Sequence, residues 1–206
     1  MKKVNKLIEE LKVLLKENPN ALFYLDELTR SCSENANSDN QLTENNSDTA
    51  NESNKEFFYI YSDGGCRGNP GPGAYGFVIK DHQKNLVKED SGYFPNSTNN
   101  KMEMMACIKG LDYLSKNFDL SKLNVTLISD SQYLLKGMKE WMIGWKKRGW
   151  KKSDKKEPEN LNLWKQLDQF KTDIKTVEYE WVKGHSGHAE NERCDELVNI
   201  CLDQHE

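Results

Sequence analysis

The chain has 206 residues, of which 36% are hydrophobic and 30% charged, with a formal net charge of −4. That length holds one ordinary domain plus an appendage, and the near balance of charge gives no global signal of a polyanion partner. No run approaches the ~20 apolar residues of a membrane span, and Glu9 and Glu10 interrupt any signal core behind Lys2 and Lys3, so no membrane association is expected.

Residues 1–30 form the first segment. Val4, Leu7, Ile8, Leu11, Leu14 and Leu15 recur at helical spacing, Pro19 breaks the pattern, and residues 21–30 suit a second short helix. Two short helices are marginal alone, so this extension docks on its own domain, merely frays, or binds an unidentified protein partner. Residues 31–56 are mostly Ser, Asn, Asp, Glu and Thr, with no aromatic residue and almost no large apolar one. They read as a disordered linker, because too little apolar surface is available to offset ordering entropy. Cys32, Cys66, Cys107, Cys194 and Cys201 are odd in number and lack CxxC spacing, which points to reduced thiols in a cytoplasmic setting.

From residue 57 the pattern alternates. Strands are expected at 57–63, 74–80 and 85–94, then a helix from Asn99 to Lys116, a strand at 124–130 and a helix from Ser131. Helical stretches at 139–148 and 160–172, a strand at 176–182 and a helix at 189–203 complete the order. Short turns make the first three strands antiparallel hairpins, and the crossover from 85–94 to 124–130 suggests a parallel pairing. The expected fold is α/β, a mixed five-stranded sheet flanked by helices over residues 57–206.

Four acids lie in this frame. Asp63 ends the first apolar run and opens onto a glycine-rich turn, Glu103 sits one turn into the first helix, Asp130 ends the fourth strand, and Asp195 lies in the last helix. An unpaired acid at a strand end is badly placed for a core, whereas acids gathered at one sheet edge suit a hard divalent cation. Taken singly, Asp130 also fits a helix N-cap, and Asp195 a solvent-facing helix acid. Residues 139–156 hold eight Lys or Arg against two acids, with Trp141, Trp145 and Trp150 among them: a local +6 in an acidic chain. The tryptophans either pack this protrusion or contact sugars.

These segments closely resemble ribonuclease H of type I, the bacterial and eukaryotic enzyme that cuts the RNA strand of RNA–DNA hybrids. The matching residues are the turn from Asp63 to Gly73, Thr98 to Glu103, Ser129 to Tyr133, Trp145 to Trp150, and Val182–His185 through Cys194–Leu197, covering residues 57–203. The resemblance implies a ribonuclease H-like fold and a four-carboxylate site, Asp63, Glu103, Asp130 and Asp195, holding two Mg2+ ions, with Mn2+ as a substitute. It implies an endonuclease leaving 5′-phosphate and 3′-hydroxyl ends, used in RNA primer and R-loop removal. His185 takes a proton-transfer role, in a loop that its glycines should leave mobile. Cys66, Asn69, Asn99, Asn100 and Gln132 are the expected hybrid contacts, and Trp141, Trp145, Lys146, Lys147 and Arg148 belong to a basic protrusion tracking DNA phosphates. A monomer is expected. The rivals are a DNA-cutting relative on the same fold, a non-catalytic hybrid binder, and a scaffold acting through residues 1–30.

Overall fold

The computed structural model describes residues 56–205, so the helical extension and all but the last residue of the linker lie outside the described residues. Five strands form one sheet in the order β3-β2-β1-β4-β5: β1 Phe57–Cys66, β2 Gly71–Asp81, β3 Leu86–Ser97, β4 Asn124–Ser129 and β5 Thr176–Trp181. β1 pairs antiparallel with β2 and parallel with β4, and β5 extends the parallel side. The helices are α1 Asn99–Asn117, α2 Gln132–Lys136, α3 Met142–Lys147, α4 Leu161–Asp173 and α5 Ala189–Asp203.

The expected fold is present, with three differences. β1 continues three residues beyond Asp63, because Gly64, Gly65 and Cys66 stay in register with Tyr75, Ala74 and Gly73. The parallel partner of β4 is β1, not the strand that precedes the crossover. β3 points the same way but is separated from β4 by β2 and β1. Finally, the stretch from Ser131 and that near 139–148 form one path, since the π-turn Gly137–Trp141 joins α2 to α3.

Strand periodicity explains the two layers. Phe58 and Ile60 of β1, with Phe77 and Ile79 of β2 and Val125 and Leu127 of β4, share the large core with Met104, Leu111 and Leu114 of α1 and with Trp164 and Leu167 of α4. The alternate residues Tyr61, Val78 and Ile128 face α5 through Cys194, while Ala74 meets Val198 and Cys201. Thr98 starts α1: its backbone is extended and its hydroxyl accepts from the Lys101 N–H, satisfying one of the helix's orphan donors.

Two glycines set how near the helices come. A Cβ on Gly64 would stand 2.2 Å from the Met102 carbonyl carbon and 2.4 Å from the Glu103 nitrogen. A Cβ on Gly76, the register partner of Asp63, would stand 2.6 Å from the Cys194 carbonyl oxygen. Helix backbone therefore rests directly on strand backbone, on both faces of the sheet, beside Asp63.

Gly64→Ala should lower the unfolding free energy by about 2 kcal/mol, because the obstructing atoms are backbone and cannot swing away. Urea denaturation checks this, with Gly65→Ala as the control. A Cβ there meets only Val198 Cγ1 at 3.7 Å, ordinary contact, so the control should change far less.

Candidate active site

Asp63 sits where the two ladders of β1 part. The parallel ladder to β4 ends at Tyr61–Ile128, while the antiparallel ladder to β2 runs on to Cys66. The divergence opens a crevice at the carboxyl ends of the parallel strands, the usual place for a ligand in such sheets. Asp130 lies one residue past β4, and α1 and α5 bring Glu103 and Asp195 to it through the contacts at Gly64 and Gly76.

The acids sense each other. Burial, the largest cause, pushes the Asp63 carboxyl up to about 7; the charge of Asp130 comes next, and Asp195 and Glu103 add to it. The Gly64 N–H donates to Asp63 Oδ1 at 2.7 Å and opposes part of the rise. Glu103 is also raised, by burial first, against a hydrogen bond donated by the Ser131 hydroxyl, with Asp130 adding to the rise.

Asp130 is not a helix cap. Ser131 caps α2 by accepting from the Leu134 N–H at 3.2 Å, and its hydroxyl proton goes to Glu103. One serine thus starts a helix and holds a site carboxylate, which leaves the Asp130 side chain for the crevice. The Trp181 indole N–H donates to the Asp130 backbone carbonyl at 3.0 Å, and a Cβ on Gly184 would stand 2.4 Å from Asp130 Oδ2. Ser131 and Trp181 were missed in the sequence: each acts through a partner 28 or 51 residues away, and neither makes a local pattern.

His185 is exposed on the loop between β5 and α5, in left-handed backbone at φ 51. The loop is tied at its far end: the Gly187 N–H donates to Glu192 Oε1 at 2.8 Å, and the His188 ring packs 5.7 Å from Tyr61. His188 occupies the N-cap position of α5 without a side-chain capping bond; its Nδ1 lies 3.5 Å from Glu190 Oε2.

Of the expected hybrid contacts, three form one linked group. The Cys66 N–H donates to Asn99 Oδ1 at 2.9 Å, and the Asn99 N–H donates to Asn69 Oδ1 at 3.2 Å. Asn100 is half-buried beside them on α1, and Gln132 is exposed at the start of α2, where its Oε1 accepts from Lys136 at 3.0 Å. Lys146, Lys147 and Arg148 are exposed at the end of α3. Trp145 is buried with its ring edge-on to Trp164, and half-buried Trp141 packs on Tyr133 and Trp145, so both rings anchor the protrusion.

Among the described residues no three acidic, histidine or cysteine side chains are already drawn close enough together to hold an ion. The donor chemistry nevertheless fits Mg2+: every carboxylate facing Asp63 offers hard oxygen, and their mutual repulsion is what a divalent cation relieves. The four carboxylates would be its ligands.

Comparison with known proteins gives the family. The RNase H family model matches residues 54–201. A ribonuclease H of Aliivibrio salmonicida is 50% identical over 144 residues, covering 70% of this chain and 87% of its own length. One from Pseudomonas fluorescens is 46% identical over 145 residues, covering 70% and 91%. Among solved structures, LC11-RNase H1 in complex with an RNA/DNA hybrid superposes with a TM-score of 0.57 at 31% identity, over 72% of this chain and 98% of that one.

Repulsion among the acids should show in stability. The folded, metal-free protein keeps a proton on Asp63 up to about pH 7, whereas an unfolded chain releases it near 3.8, so stability falls as pH rises from about 4 to about 7. Asp130→Asn removes the largest neighbouring charge and should stabilise the chelated protein by about 1 kcal/mol while flattening that slope. Added Mg2+ should raise the wild-type melting temperature more than the variant's. Thermal melts with EDTA and with Mg2+ across this pH range give the comparison; a variant that melts lower in EDTA would make Asp130 a structural residue.

Proposed function

The chain belongs to the RNase H family, and from that premise we propose that it hydrolyses the RNA strand of RNA–DNA hybrids at the four-carboxylate crevice, leaving 5′-phosphate and 3′-hydroxyl ends. The observation that carries this reading is the convergence on Asp63, where the charges of Asp130, Asp195 and Glu103 all push one buried carboxyl in the same direction. A cluster that costs stability is retained for chemistry.

When bound, two Mg2+ ions, with Mn2+ as a substitute, would activate a water and neutralise charge on the departing oxygen. The residues of the chain do the rest. A water oxygen forms a bond to phosphorus, the bond from phosphorus to the 3′ oxygen breaks, and that oxygen takes up a proton. Asp63, Glu103, Asp130 and Asp195 would hold the ions through their carboxylate oxygens. Ser131 holds the Glu103 oxygen in place, while Trp181 and the nearby Gly184 fix the segment carrying Asp130.

His185, exposed on the loop between β5 and α5, is suited to deliver or receive the proton. The linked Cys66, Asn69 and Asn99 would meet the hybrid next to the crevice, where amides and backbone groups distinguish a 2′-hydroxyl from its absence. Lys146, Lys147 and Arg148 would follow the DNA strand's phosphates, without sequence preference and with strong salt dependence. Removal of RNA primers and R-loops is the matching cellular role, in the cytoplasm that the reduced cysteines suggest.

The test is incubation of the pure protein with labelled RNA–DNA hybrid and with duplex DNA, each with and without Mg2+. Cutting of the hybrid alone, and only with metal, is expected. Binding without cutting would leave a hybrid-binding module, and cutting of duplex DNA would indicate a different nuclease on this fold. His185→Ala should lower kcat while Mg2+ affinity, read by titration calorimetry, stays unchanged. Loss of metal binding would place His185 among the ligands.

A further inference from the structure

A groove of about 400 Å3 runs between α3 and α4, away from the carboxylate crevice. Its floor includes buried Met142, its lip is Ile143, which is 51% exposed, and Lys146, Lys147 and Lys171 border it. Three ammonium groups thus face one carboxylate, and that carboxylate, Asp168, is taken by Lys146 at 2.8 Å. The half-buried Lys171 donates to the Met138 carbonyl at 2.7 Å. An apolar floor within a cationic rim suits a short peptide with a leucine-type side chain between acids.

The same chain contains such a peptide. Residues 31–54 include Glu34, Asp39, Glu44, Asp48 and Glu52 with no Lys or Arg, and their single large aliphatic side chain is Leu42, set between Asp39 and Glu44. Its tether ends near the groove. The Glu56 carbonyl accepts from the Asn124 N–H, Asn124 opposes Thr176, and α4 ends at Asp173, just before that strand. Phe57 opposes Asn124 from the other side, so Thr176 lies only two strand spacings, roughly 10 Å, from where the tether joins the sheet. The twelve steps from Glu44 to Glu56 reach at most about 40 Å, ample for that end of α4.

We propose that residues 39–44 dock in this groove, with Leu42 against Met142 and Ile143 and with Asp39 and Glu44 on Lys147 and Lys171, and so compete with nucleic-acid phosphates for the protrusion. The docking needs only the groove and the charges; its effect on the enzyme rests on the hybrid-cleaving function proposed above. The peptide thereby screens the protrusion at low salt and yields to a polyanion, whose many charges outbid two carboxylates.

The experiment compares the 206-residue wild type with the 206-residue Asp39→Asn, Leu42→Ser, Glu44→Gln variant, whose substitutions lie outside the described residues. The Ile143 methyl resonance should differ between the two proteins without nucleic acid. At about 50 mM salt the variant's KM for hybrid should be about threefold lower with kcat unchanged, the scale of one or two exposed ion pairs, and at about 200 mM the gap should close. An Ile143 methyl identical in both proteins overturns the proposal, as does one that moves only when hybrid is added, since the groove would then be a nucleic-acid surface. If hybrid is not cleaved at all, the functional reading fails while the Ile143 comparison still decides the docking.

Discussion

Direct contact of backbone with backbone at Gly64 and Gly76 is the constraint on which the rest depends. Asp63 lies between them, one as its chain neighbour and one as its register partner. A side chain at either position would push a helix outward, and with it Glu103 or Asp195. The two faces of the sheet are thereby drawn to one point. The glycines that follow Asp63 resemble a turn open to a substrate, but Gly64 lies within β1 against the protein's own helix, and its work is to set a distance within the fold.

That closeness has an electrostatic cost. A carboxyl held to about pH 7 is one that the fold would rather keep neutral, and the hydrogen bonds from Gly64 to Asp63 and from Ser131 to Glu103 offset only part of it. The compensation lies in packing elsewhere. Trp164, Leu167, Met138 and Leu134 are wholly buried under the protrusion, and α1 is buried along one side by Met104, Leu111 and Leu114. The rigid aromatic base formed by Tyr133, Trp141, Trp145 and Trp164 then presents the lysines without itself needing a ligand.

Much of this was legible in the chain. The apolar runs at Phe57–Ser62 and Val125–Ser129 and the helix expected from Asn99 to Lys116 place three of the four acids on their elements, and the motif order supplies the family. What the sequence hid is long-range. The extension of β1 past Asp63 was obscured because Gly64 and Gly65 resemble a turn, yet both pair with β2. The neighbour of β4 depends on which strands lie between, and a crossover does not state that. Ser131 and Trp181 reach across the fold to Glu103 and to the Asp130 carbonyl, and nothing near them in the chain distinguishes them from an ordinary cap and an ordinary strand residue. Residues 1–55 lie outside the described residues, and the helices and linker expected there remain sequence-based expectations.

The bond from Trp181 to the Asp130 carbonyl also gives the molecule an optical handle. Half of the Trp181 indole faces water, whereas Trp145 and Trp164 are buried in the core. A neutral quencher such as acrylamide therefore reaches Trp181 well before those two, and the emission lost first is that of the ring attached to the acid segment. Light from a native side chain can thus follow events at the carboxylates, with no dye introduced.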